Sequence, residues 1–170
     1  VSVSMMILSF DIADYAINSG IDELTVHART KAQVHRPPAH WLQLGAISNP
    51  RGVPVIANGE IWTPGDLARC REQGRCDAFM RARGAICRPD LGRAIKAHAE
   101  NVSLTHMTWP KIAELLIHFF EANAERYERQ YAINLLKQWL VYLKHCYHQA
   151  ATLFAQVKRI RDPNIMMCAL

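Results

Sequence analysis

Three short stretches of this chain carry residues whose types and spacing suit chemistry. They are His27 and Arg29 in ELTVHART, Asn58-Gly59-Glu60 in PVIANGEIW, and Arg83-Gly84 in FMRARGA. In each, an apolar run stops abruptly on polar groups, which is how a buried strand presents side chains at its end. Backbone NH groups freed at a glycine-containing strand end, beside a helix N-terminus, favour an anion such as phosphate. Arg83 can neutralise that charge, and Gly59 and Gly84 allow a ligand to approach the backbone closely. His27 and Asn58 can hydrogen-bond the remainder of a phosphate-bearing cofactor. Asn58-Gly59 as a plain turn and Arg83 as a solvated charge remain the competing reading, and the recurrence of three such ends in phase weighs against it.

The elements that must position these residues alternate. Val1–Leu8 reads as a strand and Phe10–Asn18 as a helix, with Ser19-Gly20 as its stop. Glu23–His27 is a second strand, followed by a loop with two prolines and a helix over Trp41–Ile47. Val53–Ala57 is a third strand, and Thr63-Pro64 opens a helix through Arg71. Asp77–Met80 is the last strand and Pro89–Ala99 the last helix of this half. Apolar strands alternating with helices predict a parallel sheet covered on its faces, in βαβ units of roughly 30 residues. No GxGxxG glycine fingerprint opens any unit, which disfavours a doubly wound nucleotide fold. Polar groups at several strand ends fit the rim of a (β/α) barrel. A complete barrel takes about 250 residues, so residues 1–97 are expected to hold its last four units. The expected fold class is the C-terminal half of a (β/α)8 TIM barrel, followed by a small helical bundle.

From about Thr108 the strands cease. Pro110 opens a helix with Ile112, Leu115, Leu116, Phe119 and Phe120 on one face. A second helix over 128–147 aligns Ile133, Leu136, Leu140, Leu143 and Tyr147. A third over 149–161 uses Leu153, Phe154, Val157 and Ile160 before Asp162-Pro163 ends it. These predict an all-α domain over 110–170, with 98–109 as linker.

Composition narrows the class. Five cysteines form no CxxC pair, which argues against a disulfide framework or a zinc knuckle and for a reducing, cytoplasmic setting. No apolar run reaches the roughly 18–20 residues that span a bilayer, and the opening VSVSMMILSF lacks a basic region and cleavage site. A net charge of +5 and a pI near 9.1 suit an acidic partner. The absence of an initiator Met suggests a processed product or a piece of something longer.

ELTVHARTKAQ, VPVIANGEIW and CDAFMRARGA together resemble the last three strands of the tRNA-dihydrouridine synthases, whose patterns read close to VHGRT, PVIANGDI and MIGRGA. The likeness continues through LLKQWLVYL and Ala150–Phe154, which resemble the bacterial subfamily C, acting on a D-loop uridine at position 16. It covers about Phe10 to Arg161. The resemblance implies a TIM-barrel flavoenzyme in which FMN at the barrel mouth, reduced by NADPH, delivers a hydride to the uracil ring while a cysteine supplies a proton. It further implies cofactor-binding roles for His27, Asn58, Gly59, Glu60, Ala82, Arg83 and Gly84, and tRNA contacts for Arg36, Lys137, Tyr142 and Lys158.

The sequence departs from that pattern at several points. The amino-terminal half of the barrel is missing, including the loop with the catalytic cysteine, and none of the five cysteines here stands in a matching motif. Ser4 stands where the family has a flavin-contacting lysine. Ala28 and Ala82 replace glycines, Arg81 replaces an apolar strand residue, and Leu135 replaces an arginine. The expectation is a chain of this descent that does not catalyse alone, and that self-associates through exposed sheet edges. A non-catalytic tRNA-binding module is the second reading, and a small-molecule flavin or phosphate barrel the third. His145-Cys146-Tyr147-His148 is discounted as a metal site, because adjacent helical residues diverge by about 100°.

Overall fold

The computed structural model describes residues 3–33, 37–47 and 52–170, with the backbone alone for 3–9 and 31. The chain forms two compact units, residues 1–84 and 85–170. The division falls earlier than the change of pattern near residue 97, so residues 85–97 belong with the helical unit.

The first unit opens with α1 (Val3–Asn18), one continuous helix where a strand over Val1–Leu8 followed by a helix was expected. Val1-Ser2-Val3-Ser4 alternates too briefly to fix a strand. The Met-Met-Ile-Leu run that follows contains good helix formers and continues without a breaker into Phe10–Asn18. Ala13 and Ile17, four residues apart, are its buried positions. The barrel-like portion among the described residues therefore has three strands rather than four. They are β1 (Leu24–His27), β2 (Val55–Asn58) and β3 (Ala78–Met80), all parallel and in that order. Leu24 pairs with Val55 and His27 with Asn58, while Asn58 pairs with Met80. This register brings the three carboxyl ends level.

Between the strands run α2 (Trp41–Leu44) and α3 (Pro64–Gly74). The start of α3 is strongly fixed. Thr63 Oγ1 accepts from Asp66 N at 3.1 Å, and Asp66 Oδ2 accepts from Thr63 N at 2.8 Å, a capping box with Pro64 in the first turn. The same Oδ2 accepts from Trp62 N at 3.1 Å, so the cap also pins the segment leaving β2. At the far end, a Cβ on Gly74 would stand 3.3 Å from the Trp41 carbonyl oxygen, so glycine is what lets α3 close on α2. α4 (Ala82–Cys87), which the sequence reading omitted, carries the chain into the second unit.

The second unit contains α5 (Leu91–Ala99), α6 (Trp109–Arg126), α7 (Arg129–Leu143), α8 (His148–Val157) and α9 (Pro163–Ala169). Ile112, Leu116 and Phe120 of α6 meet Ile133, Leu136, Leu140 and Leu143 of α7, with Val157 and Met166 completing one apolar cluster. Each such side chain contributes about 1.5–3 kcal/mol by leaving water. α8 ends at Val157, short of the helix expected over 149–161, and Asp162-Pro163 instead starts α9: Asp162 Oδ1 accepts from Asn164 N and Ile165 N at 2.8 and 3.1 Å. Asp90, only 1% exposed, accepts from Arg88 Nε and from Met107 N at 3.2 and 3.1 Å. That anchors the stretch before α6, which has no regular structure over 102–108.

Candidate functional site

The site is built where β1, β2 and β3 end. Ala28 N donates to the Asn58 carbonyl at 3.0 Å, extending the β1–β2 pairing one residue past the strands. The Asn58 side-chain amide reaches Met80 Sδ at 3.3 Å, so β2 and β3 are joined at their tips as well. The backbone then turns sharply through Gly59 (φ 127°) and Glu60 (φ 57°), two successive residues in the left-handed half of conformational space. Only glycine takes the first of these readily; Glu60 is held in an αL conformation by what surrounds it. The Gly59 carbonyl accepts from Trp41 Nε1 at 3.0 Å. A Cβ placed on Gly59 would lie 3.8 Å from His27 Cε1, which locates the His27 ring over this turn.

The turn delivers the Glu60 carboxylate to two arginines. Glu60 Oε1 is ion-paired with Arg29 Nη2 and stands 3.5 Å from Arg83 Nη2. The side chain of Arg29 is 0% exposed, that of Glu60 19% and that of Arg83 30%. Arg29 Nε and Nη1 have no hydrogen-bond acceptor among the described residues. The Arg83 guanidinium also lies over the Trp62 ring, 5.5 Å from its centroid. Two cations and one carboxylate leave the cluster net positive. A cavity of about 270 Å³ beside β1 is lined by His27, Arg29, Thr30, His40 and Gln43 among others.

His27, Asn58, Gly59, Glu60 and Arg83 are thus brought to one edge of the sheet, as the sequence reading expected of them. Ala82 is exposed and Gly84 buried, both within α4. That helix is six residues long, too short to act as an anion site in its own right, so attraction for an anion rests on Arg83 rather than on a helix terminus. Arg81 lies just past the end of β3 and not within the strand, which explains why a charge is accepted there. Ser4 falls on α1 and not on a strand. The sequence reading assigned no binding role to Arg29 or Trp62.

Arg36 lies outside the described residues. In the second unit, Lys137 and Lys158 line one groove of about 420 Å³ with Tyr131, Asn134, Gln138, Val141 and Phe154. Lys137 Nζ donates to the Ile160 carbonyl at 2.6 Å. Its pKa is lowered, first by burial and then by the nearby charge of Arg161. Tyr142 is exposed and does not line this groove. Among the described residues no group of three or more His, Cys, Asp or Glu is placed to hold a metal, and no helix is long and apolar enough to cross a membrane.

This arrangement can be set beside known proteins. Residues 5–165 match the family described as Dihydrouridine synthase (Dus), and the chain belongs to that family. It is 39% identical over 154 residues to the tRNA-dihydrouridine(16) synthase of Aquipseudomonas alcaligenes, covering 91% of this chain and 49% of that protein. It is 39% identical over 166 residues to the protein so named from Pseudomonas putida, covering 94% of this chain and 51% of that protein. For Ralstonia nicotianae the identity is 36% over 160 residues, covering 94% and 49%. The chain spans about half the length of the curated relatives it matches.

Proposed function

We propose that this chain supplies the cofactor-phosphate edge and the tRNA-binding helices of an FMN- and NADPH-dependent tRNA-dihydrouridine synthase acting on a D-loop uridine. The reading is supported above all by the convergence of Asn58-Gly59-Glu60 and Arg83 at level strand ends. The donor set fits a phosphate monoester. Arg83 is partly exposed and cationic, the left-handed turn at Gly59 and Glu60 brings the backbone to the same edge, and the cluster of Arg29, Glu60 and Arg83 is net positive. Bound FMN would supply the hydride chemistry. The protein's part is to hold the phosphate with Arg83 and Gly59, to orient the remainder with His27 and Asn58, and to present the RNA.

No cysteine of the described structure suits the role of proton donor to the base. Cys70, Cys76 and Cys87 are buried, and burial raises the Cys70 pKa to about 12, with the nearby Cys76 adding to the shift. Cys146 and Cys168 are exposed, and neither stands in a motif that matches the family's catalytic cysteine. The chain by itself is therefore proposed to bind without catalysing. RNA contact is assigned to the groove of Lys137 and Lys158, whose ammonium groups suit backbone phosphates and whose Tyr131 and Phe154 offer apolar surface. β1 and β3 each pair on one side only among the described residues, which supports self-association through those edges.

The test is reconstitution of the purified chain with FMN, removal of free flavin, and absorbance spectroscopy, followed by a gel shift with unmodified tRNA. A retained flavin spectrum with a tRNA shift, and no dihydrouridine formed, is the expected result. A colourless protein that shifts tRNA would favour a non-catalytic RNA-binding module instead.

A further inference from the structure

Glu60 presents a physical problem. A carboxylate 3.5 Å from Arg83 should neutralise the cation that a phosphate needs and repel the phosphate itself. Arg29 resolves both difficulties. Its guanidinium is fully buried, where its attraction for Glu60 is little screened, whereas Arg83 is partly in water. The Oε1 contact is closer to Arg29 than to Arg83, so the carboxylate is held chiefly by its buried partner. We propose that Arg29 is a positioning residue: it fixes Glu60 and takes up its charge, so that Arg83 is held over Trp62 while keeping donors for an anionic ligand. This rests on the phosphate reading given above for the same site.

The order of the three groups carries the inference. Arg29 lies at the end of β1, Glu60 past β2 and Arg83 past β3, so a single carboxylate ties together the ends of all three strands. Arg29 need not touch the ligand to matter. Removing it leaves Glu60 with Arg83 as its one cation among the described partners, and the pair becomes neutral.

Two readouts on the full chain test this. The first is the indole NH resonance of Trp62, assigned by W62F, in the nitrogen-15 spectrum of the tryptophans. R83Q is expected to move it, and R29Q and E60Q are expected to move it in the same direction. The second compares FMN with riboflavin, which lacks the phosphate. Wild type is expected to prefer FMN by about tenfold or more, and R29Q to lose most of that preference with riboflavin affinity unchanged. The R29Q/R83Q double variant is expected to fall no further than R83Q alone. R29K keeps the charge but not the planar fork, and is expected to lie between wild type and R29Q on both readouts.

Equal losses for FMN and riboflavin in R29Q would mark Arg29 as merely structural and overturn the proposal, as would additive effects with R83Q. If R29Q does not fold, an R29K variant whose losses fall equally on FMN and riboflavin overturns it. A wild-type chain without preference for FMN would instead sink the phosphate reading, while the Trp62 resonance would still report whether Arg29 positions Arg83.

Discussion

Arg83 and Glu60 stand 3.5 Å apart, joining the turn after β2 to the third residue past β3. Residues 23 positions apart in the chain meet there because parallel pairing keeps Asn58 level with Met80. With Arg29 on the other side of the carboxylate, the contact organises one edge of the sheet around a net positive cluster.

Gly59→Ala is expected to destabilise the first unit by about 1–3 kcal/mol. Crowding is not the reason, since an added Cβ would meet Ala39 Cβ at an ordinary 3.5 Å. The cost comes from a backbone at φ 127°, which an L side chain resists. Thermal unfolding followed by circular dichroism should show the loss, with FMN binding weakened alongside.

Asp90 should make the second unit acid-sensitive. Burial pushes its carboxyl pKa up, but hydrogen bonds from Arg88 and Met107 N, with the charges of Arg88 and His106, outweigh this and hold it below the ordinary value. A pKa lowered by folding contributes stability that is present above the unfolded value near 3.8 and is lost as pH falls through the folded one. Urea unfolding at pH 7 and at successively lower pH below 5 should show that loss. D90N should abolish this component and cost about 3–5 kcal/mol at pH 7, because Arg88 loses the partner of a buried pair.

Lys158→Gln is expected to weaken tRNA binding and to flatten its salt dependence by about one phosphate's worth in a log–log plot. Lys158 is the cleaner probe of the groove, since it is exposed. Lys137 is half-buried and donates to the Ile160 carbonyl, so replacing it disturbs packing too. Filter binding across a range of salt concentrations, with melting temperatures as a control, separates the two effects.

Much of the local structure is legible in the sequence, for identifiable reasons. β1, β2 and β3 are short apolar runs bounded by polar residues, Pro and Gly, and the stripe Ile133, Leu136, Leu140 and Leu143 fits only a helix. The first element misleads because four alternating residues outweighed the helix formers behind them. α4 is hidden by its shortness and by Arg83 and Gly84 within it, and α9 by a Pro163 that reads as a stop yet occupies a first helical turn. The level strand ends are readable from spacing, as are Asn58, Gly59 and Arg83. The role of Arg29 is not, because nothing local to ELTVHART says that a carboxylate 31 residues later will turn back onto it.

The central claim is that these strand ends cradle a phosphate, and phosphorus-31 NMR of FMN added to the purified chain tests it most directly. The account predicts a shifted and broadened phosphate resonance with wild type that returns to its free position with R83Q. A resonance that stays at the free position with wild type, or one that moves equally with R83Q, would contradict it.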